Sequence, residues 1–149
     1  MQVAFFLIPK SEIVWLPENS TLRQAMERME RHGYNAVPVL DGEGKYAFTI
    51  TTADMLWAIK NTPEYIFKDS EQIRLRDIHR RKEVQAVNIG ETMSNLLLRA
   101  TEQNFIPVVD DFGTFIGIVR RREIMEYCVG LFPENQEEAS AATADPTEQ

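Results

Sequence analysis

Val37-Pro38-Val39-Leu40-Asp41 recurs 69 residues later as Ile106-Pro107-Val108-Val109-Asp110. The register holds outward from this pair. Asp41 and Gly44 fall on Asp110 and Gly113, Thr51 on Arg120, and Asp54 on Glu123. Upstream the shift becomes 71, so that Leu16 falls on Val87, Thr21 on Thr92, Leu22 on Met93, Ala25 on Leu96 and Met26 on Leu97. A two-residue deletion in the first helix of the second copy, or in the turn after it, accounts for the change. A register kept over some forty residues marks an internal duplication.

Each copy has the same pattern. Short extended segments, Ile13–Leu16 and Val84–Val87, precede an amphipathic helix. In the first copy Leu22, Ala25, Met26 and Met29 form its apolar stripe, with Asn19, Ser20 or Thr21 as N-cap and Gly33 as terminator. In the second copy Thr92 caps, and Met93, Leu96, Leu97 and Ala100 form the stripe. A strand with one proline follows (Ala36–Leu40, Phe105–Val109), then a glycine turn, a second strand (Tyr46–Thr51, Thr114–Val119) and a second helix (Thr52–Ile59, Arg121–Cys128). The predicted fold is α/β (α+β), two β-α-β-β-α repeats packed about a pseudo-two-fold axis.

Composition narrows the function. The 149 residues fit one domain or two small halves sharing a core. The net charge of −7 comes largely from the end of the chain, where Glu134, Glu137, Glu138, Asp145 and Glu148 face no basic residue. The nearly neutral remainder argues against a nucleic-acid binder. One cysteine, Cys128, excludes an internal disulfide, and two histidines are too few for a His-rich metal site. The longest apolar run, Val3–Ile8, falls well short of the roughly 20 residues of a membrane span, and Pro9-Lys10-Ser11-Glu12 is a poor signal cleavage site. A cytoplasmic location is expected.

The ordered set of motifs resembles the CBS domain, and two in tandem resemble the CBS pair, or Bateman module. Its carriers are Gly33-Tyr34-Asn35-Ala36-Val37-Pro38-Val39, Thr51-Thr52-Ala53-Asp54 and Phe115-Ile116-Gly117-Ile118-Val119. The resemblance covers roughly residues 5–130. The expected division is repeat 1 over 1–60, a linker over 61–74, repeat 2 over 75–130, and an acidic, disordered tail over 131–149.

Two constellations carry chemistry. Thr51 and Asp54 stand where a strand meets a helix, and a carboxylate there accepts hydrogen bonds from sugar hydroxyls. The bland alternative is helix capping. The resemblance implies a ribose site there, with the base between Ala86, Asn104, Phe105 and Ile106. The second copy departs from the motif with Arg120-Arg121-Arg122-Glu123. Three arginines at a helix N-terminus oppose the helix dipole, which a bound phosphate would relieve; a solvated basic face is the plainer reading of an arbitrary Arg-Arg-Arg, but this one falls on the ligand cleft that the resemblance implies, which favours phosphate. A narrower resemblance, to the small stand-alone CBS-pair proteins of Gram-positive bacteria that bind cyclic di-AMP, implies a cleft formed by Val14, Tyr34, Asn35, Ala36 and Val37 with Arg120, Arg121, Arg122 and Glu123.

The remaining signals are weaker. Arg80-Arg81-Lys82 and Lys10 read as exposed loop residues, with cleft lining, which the resemblance implies for these loops, as the alternative; Trp15 and Trp57 read as packing residues, and Cys128 as core. No P-loop, H-E-x-x-H, C-x-x-C or G-x-S-x-G sequence occurs, so no catalytic or metal-binding residue and no cofactor is expected. The resulting expectation is a regulatory module with an adenine nucleotide or cyclic dinucleotide as its ligand. Its expected partners are a second copy, through helices carrying Met55, Leu56 and Ile59 and Ile124, Met125 and Cys128, and an unidentified effector protein. Nucleic acid and membrane are not expected as partners. The rival is a structural or protein-interaction CBS pair with no functional nucleotide site.

Overall fold

The computed structural model describes residues 2–61 and 71–134. Strands β1 (Ile8–Pro9), β2 (Leu16–Pro17), β3 (Ala36–Leu40) and β4 (Tyr46–Thr51) accompany helices α1 (Leu22–His32) and α2 (Thr52–Asn61). The second half repeats the order with β5 (Val87–Asn88), α3 (Met93–Glu102), β6 (Phe105–Val109), β7 (Phe115–Arg120) and α4 (Arg121–Gly130). One sheet has the order β2-β3-β4, the other β1-β7-β6-β5.

Local chemistry explains the elements. Thr21 and Gln24 form a reciprocal capping box at the start of α1, and Gly33 ends that helix in the left-handed conformation at φ 68°. The Thr92 side chain caps α3, but that helix runs directly into an extended Gln103, so the second copy lacks the glycine turn. In both hairpins an aspartate holds the turn: Asp41 Oδ1 accepts from the N–H groups of Glu43 and Lys45, and Asp110 Oδ1 from those of Phe112 and Thr114. At Pro38 and Pro107 the parallel partner strand has not yet begun, since β2 and β5 pair no further back than Val39 and Val108. A missing N–H is tolerated there.

Each repeat has its own core, and a third cluster joins them. Leu22, Ala25, Met29, Val37, Val39 and Ile50 belong to the first core, and Leu96, Ile106, Val108, Val119 and Ile124 to the second. Leu40, Phe115 and Ile118, with Trp15 and Tyr46 against them, pack between the two. The pseudo-axis passes here. Lys45 bridges its own counterpart Thr114, and Tyr46 stacks on its counterpart Phe115 at 6.4 Å.

The segments that precede the repeats are exchanged. Val3 and Phe6 are buried in the second core, and β1 pairs antiparallel with β7. Leu75 and Ile78 are buried in the first core, while Leu22 N–H donates to Ile73 O and the Arg74 guanidinium to Asn19 O. Val3 and Phe6 stand 72 residues before Leu75 and Ile78, so these are equivalent arms. Residues 3–9 thus pack with the second repeat, and 73–78 with the first. Of the expected linker, 62–70 lies outside the described residues; of the expected tail, 135–149 does.

The helical stripes also need correction. Met55 and Ile124 are core residues, whereas Leu56, Ile59 and Met125 are exposed. Cys128 is half-buried against the second core, and Trp57 lies under the Arg81 guanidinium at 4.8 Å.

Candidate functional site

Two clefts follow from the pseudo-symmetry, and they differ. The first is a cavity of about 220 Å³. Ile13, Val14, Tyr34, Ala36, Val37 and Pro38 form its first-repeat wall, and Asn104, Phe105, Ile118, Arg120 and Arg122 the opposite one. The first wall is mainly apolar and the second ends in two guanidinium groups.

The arginines are placed by the strand-to-helix junction. Arg120 is the N-cap of α4 and makes no side-chain capping bond. Its Nη1 stands 3.9 Å from Glu123 Oε1, and the Glu123 Oε2 atom is buried with no hydrogen-bond partner among the described residues. Arg122 is exposed and donates from Nε to Glu126 Oε1 at 2.9 Å. Arg121 turns inward. Its Nε donates to Ala100 O at 2.6 Å and Gln103 O at 3.1 Å, tying α4 to the carboxyl end of α3. A cation there meets the free carbonyls and the negative pole of a helix, which makes Arg121 a structural tie.

Of the residues named for this cleft from the sequence, Val14, Tyr34, Ala36, Val37, Arg120 and Arg122 line one cavity. Asn35, Arg121 and Glu123 do not line this cavity. Asn35 instead supplies the carbonyl that accepts the first N–H of α2, and Asn104 does the same for α4, both at 2.9 Å. An open groove of about 540 Å³ adjoins the cleft along α4, shares Asn104 and Arg122 with it and is lined by Arg121 as well.

The residues expected in the second cleft are dispersed. Thr51 and Asp54 cap α2 reciprocally: Asp54 N–H donates to Thr51 Oγ1 and Thr51 N–H to Asp54 Oδ2, each at 3.1 Å. Asp54 is buried, and its Oδ1 takes the Arg81 N–H at 3.4 Å. Ile106 is fully buried, and Asn104 and Phe105 line the first cleft. Ala86 alone lines the second, a polar cavity of about 350 Å³ between Tyr46–Thr49 and residues 80–86. Arg80 and Lys82 line it as well, which is the alternative to the exposed loop preferred from the sequence.

Ile13, Pro38 and Ile118 were not anticipated as lining residues. Ile118 was within reach, because it stands two residues before Arg120 in one strand and shares its face. Among the described residues no three His, Cys, Asp or Glu side chains cluster as metal ligands, and no helix is long and apolar enough to cross a membrane.

Comparison with known proteins agrees with this architecture. The CBS-domain family profile matches residues 7–61 and 75–130. The protein CbpB, solved in complex with c-di-AMP, superimposes with a TM-score of 0.80 at 20 % identity, over 93 % of this chain and 91 % of that one. A conserved hypothetical protein from Geobacillus kaustophilus superimposes with a TM-score of 0.79 at 25 % identity, over 89 % and 98 %. Among curated sequences, inosine-5'-monophosphate dehydrogenase of Methanocaldococcus jannaschii is 25 % identical over 115 residues, 77 % of this chain. The chain spans about a fifth of the length of that relative and of a second one, a sulfurtransferase.

Proposed function

The chain belongs to the CBS-domain family as a tandem pair, and on that premise we propose that it is a regulatory module binding an adenine nucleotide, cyclic di-AMP foremost, in its first cleft. The observation that carries this reading is the pairing of an apolar wall from one repeat with Arg120 and Arg122 from the other. An apolar slot takes the base. Guanidinium groups at an uncapped helix N-terminus take phosphate, to which they add bidentate hydrogen bonds. The complex of CbpB with c-di-AMP supports the choice of ligand.

Size favours a two-part ligand. Pockets for drug-sized molecules run from about 300 to 1,000 Å³. A cleft of about 220 Å³ suits one nucleoside half, and the adjoining groove past Arg122 receives the remainder. Occupancy would be reported to an effector protein. A homodimer would form through the exposed Leu56 and Ile59 of α2 and Met125 of α4.

Analytical ultracentrifugation with absorbance detection reads binding and mass together. Wild type should sediment as a dimer of the 17.2 kDa chain and carry cyclic di-AMP with it. The Arg120→Ala, Arg122→Ala double variant should bind about 10- to 150-fold more weakly, the usual range for a lost charged hydrogen bond. Equal binding by the variant defeats the site assignment. A wild type that binds no nucleotide favours a protein-interaction module, and a strict monomer removes the dimer.

A further inference from the structure

Tyr34 and Gln103 occupy matching positions, each one residue before the asparagine whose carbonyl receives the next helix. Their side chains are used in opposite ways. Tyr34 is 41 % exposed, stacks on His32 at 5.7 Å and borders the open first cleft. Gln103 is 5 % exposed and turns inward. Its Oε1 accepts from the Gln85 N–H at 3.3 Å, and its Nε2 donates to Gln85 O at 3.1 Å and Phe105 O at 3.4 Å.

The Gln103 carboxamide therefore offers an acceptor and a donor side by side to the N–H and C=O of one backbone residue. An adenine edge offers the same pair, a ring nitrogen that accepts beside an amino group that donates. In the first repeat the counterpart of Gln85 is Val14, and that of Phe105 is Ala36. The Val14 N–H and C=O have no hydrogen-bond partner among the described residues, and both Val14 and Ala36 line the open cleft.

The second cleft is not smaller, at about 350 Å³ against about 220 Å³, but it lacks the wall that would face a base. None of residues 103–107 lines it, whereas Tyr34, Ala36, Val37 and Pro38 all line the first. Its remaining wall is latched: the Tyr46 hydroxyl donates to Val84 O at 2.5 Å, and the Arg80 guanidinium lies 3.8 Å above the Phe48 ring.

We propose that the Gln103 side chain is a built-in surrogate for the edge of a base, which denies the Gln85 backbone to a base in the second cleft and makes the chain a one-cleft receptor. The ligand's base would then take the Val14 backbone in the first cleft as Gln103 takes that of Gln85 in the second. The inference rests on the nucleotide reading for its first half only, because the occupancy of the second cleft is tested separately.

Equilibrium dialysis with AMP, a single-base probe, separates the two. Wild type should saturate at one AMP per chain. Gln103→Ala should reach two, and the same substitution added to Arg120→Ala, Arg122→Ala should retain the site gained. A wild type that binds two AMP per chain overturns the proposal. So does a Gln103→Ala protein that melts cooperatively yet binds no more than wild type. If wild type binds none, the reading of the first cleft fails, while a site gained by Gln103→Ala still upholds the surrogate. Should the alanine variant not fold, Gln103→Ser, which keeps a hydroxyl for the exposed carbonyls, is held to the same counts.

Discussion

The two repeats share a backbone plan and diverge at one sheet edge. In the second repeat β7 is interior, because β1 of the exchanged arm pairs with it at Ile8–Ile118 and Pro9–Gly117. In the first repeat the equivalent strand, β4, is left as an edge. The residue that faces the arm decides the difference. A Cβ on Gly117 would stand 2.1 Å from the carbonyl oxygen of Ile8, so the arm's backbone occupies the space of a side chain. Phe48 holds the matching position in β4, and no strand fits over it. Arg80, matched to Ile8 by the 72-residue spacing of the arms, lies on the phenyl ring instead.

The two arms differ at this contact and not in their core burial, since Leu75 and Ile78 enter the first core as Val3 and Phe6 enter the second. A partly exposed cation–π contact is worth about 0.5–1 kcal/mol. Burying two apolar side chains, as each arm does, contributes about 1.5–3 kcal/mol for each one and outweighs that contact. To the core burial that both arms share, the N-terminal arm thus adds a backbone fit that only glycine allows, and the second arm a side-chain contact at the wall of the second cleft.

Gly117→Ala tests that fit and should have the largest effect. The new Cβ displaces the arm, and with it much of the burial of Val3 and Phe6. A loss of about 3 kcal/mol is expected, or roughly 6–12 °C in melting temperature for a chain of this size. Removing residues 1–9 should cost about the same. The combination should cost little more than either change alone, since both release one arm. A melting temperature for Gly117→Ala within a degree or two of wild type would show that the arm does not depend on glycine.

Tyr46 and Phe115 sharpen the comparison at the pseudo-axis. They are counterparts stacked on each other, but only the tyrosine has a hydroxyl to latch the second cleft, bonded to Val84 O and Thr49. Burial pushes the phenol up to about 12 from its ordinary value near 10. The folded state therefore favours the protonated form. This stabilisation is complete below about pH 10 and is lost as pH rises from 10 to 12. Tyr46→Phe should cost about 1 kcal/mol at pH 7 and unfold less steeply than wild type across that alkaline window. Urea melts at pH 7 and at half-unit steps above pH 9.5 measure both. Parallel curves for the two proteins would mean that the latch carries no stability.

Much of this organisation is legible in the sequence. The 69-residue register, the threonine caps and the turn aspartates with Gly44 and Gly113 are local signals, and local hydrogen bonds realise them. The exchanged arms are not legible, because a two-residue strand has too little period to reveal a partner in the other repeat. Nor does Arg-Arg-Arg say which arginine faces the cleft. Only the position of Arg121 at the end of α3 turns that side chain inward. Met55 and Leu56, like Ile124 and Met125, are adjacent apolar residues, and helical spacing alone does not choose which of each pair is buried. Thr51 and Asp54 fit a sugar site and a helix cap equally well as a motif, and the folded chain uses them as the cap.

That cap supplies the last and smallest test. Thr51 and Asp54 close the first turn of α2, whereas Arg120 at the same place in α4 caps nothing and sets positive charge against the helix dipole. Arg120→Ser restores a capping hydroxyl, worth about 0.5–2 kcal/mol, and removes an unfavourable charge worth about 0.3–1 kcal/mol. It gives up only a loose contact with Glu123 at 3.9 Å, half-exposed on both sides and worth little. The unliganded variant should therefore melt a few degrees above wild type. Its stabilisation by cyclic di-AMP should shrink, because the phosphate loses one guanidinium. Stability gained together with ligand response lost identifies Arg120 as a residue kept for binding at the expense of the helix. A variant that melts below wild type would mean that the Arg120–Glu123 contact already satisfies the end of α4, and the case for an anion there would fall with it.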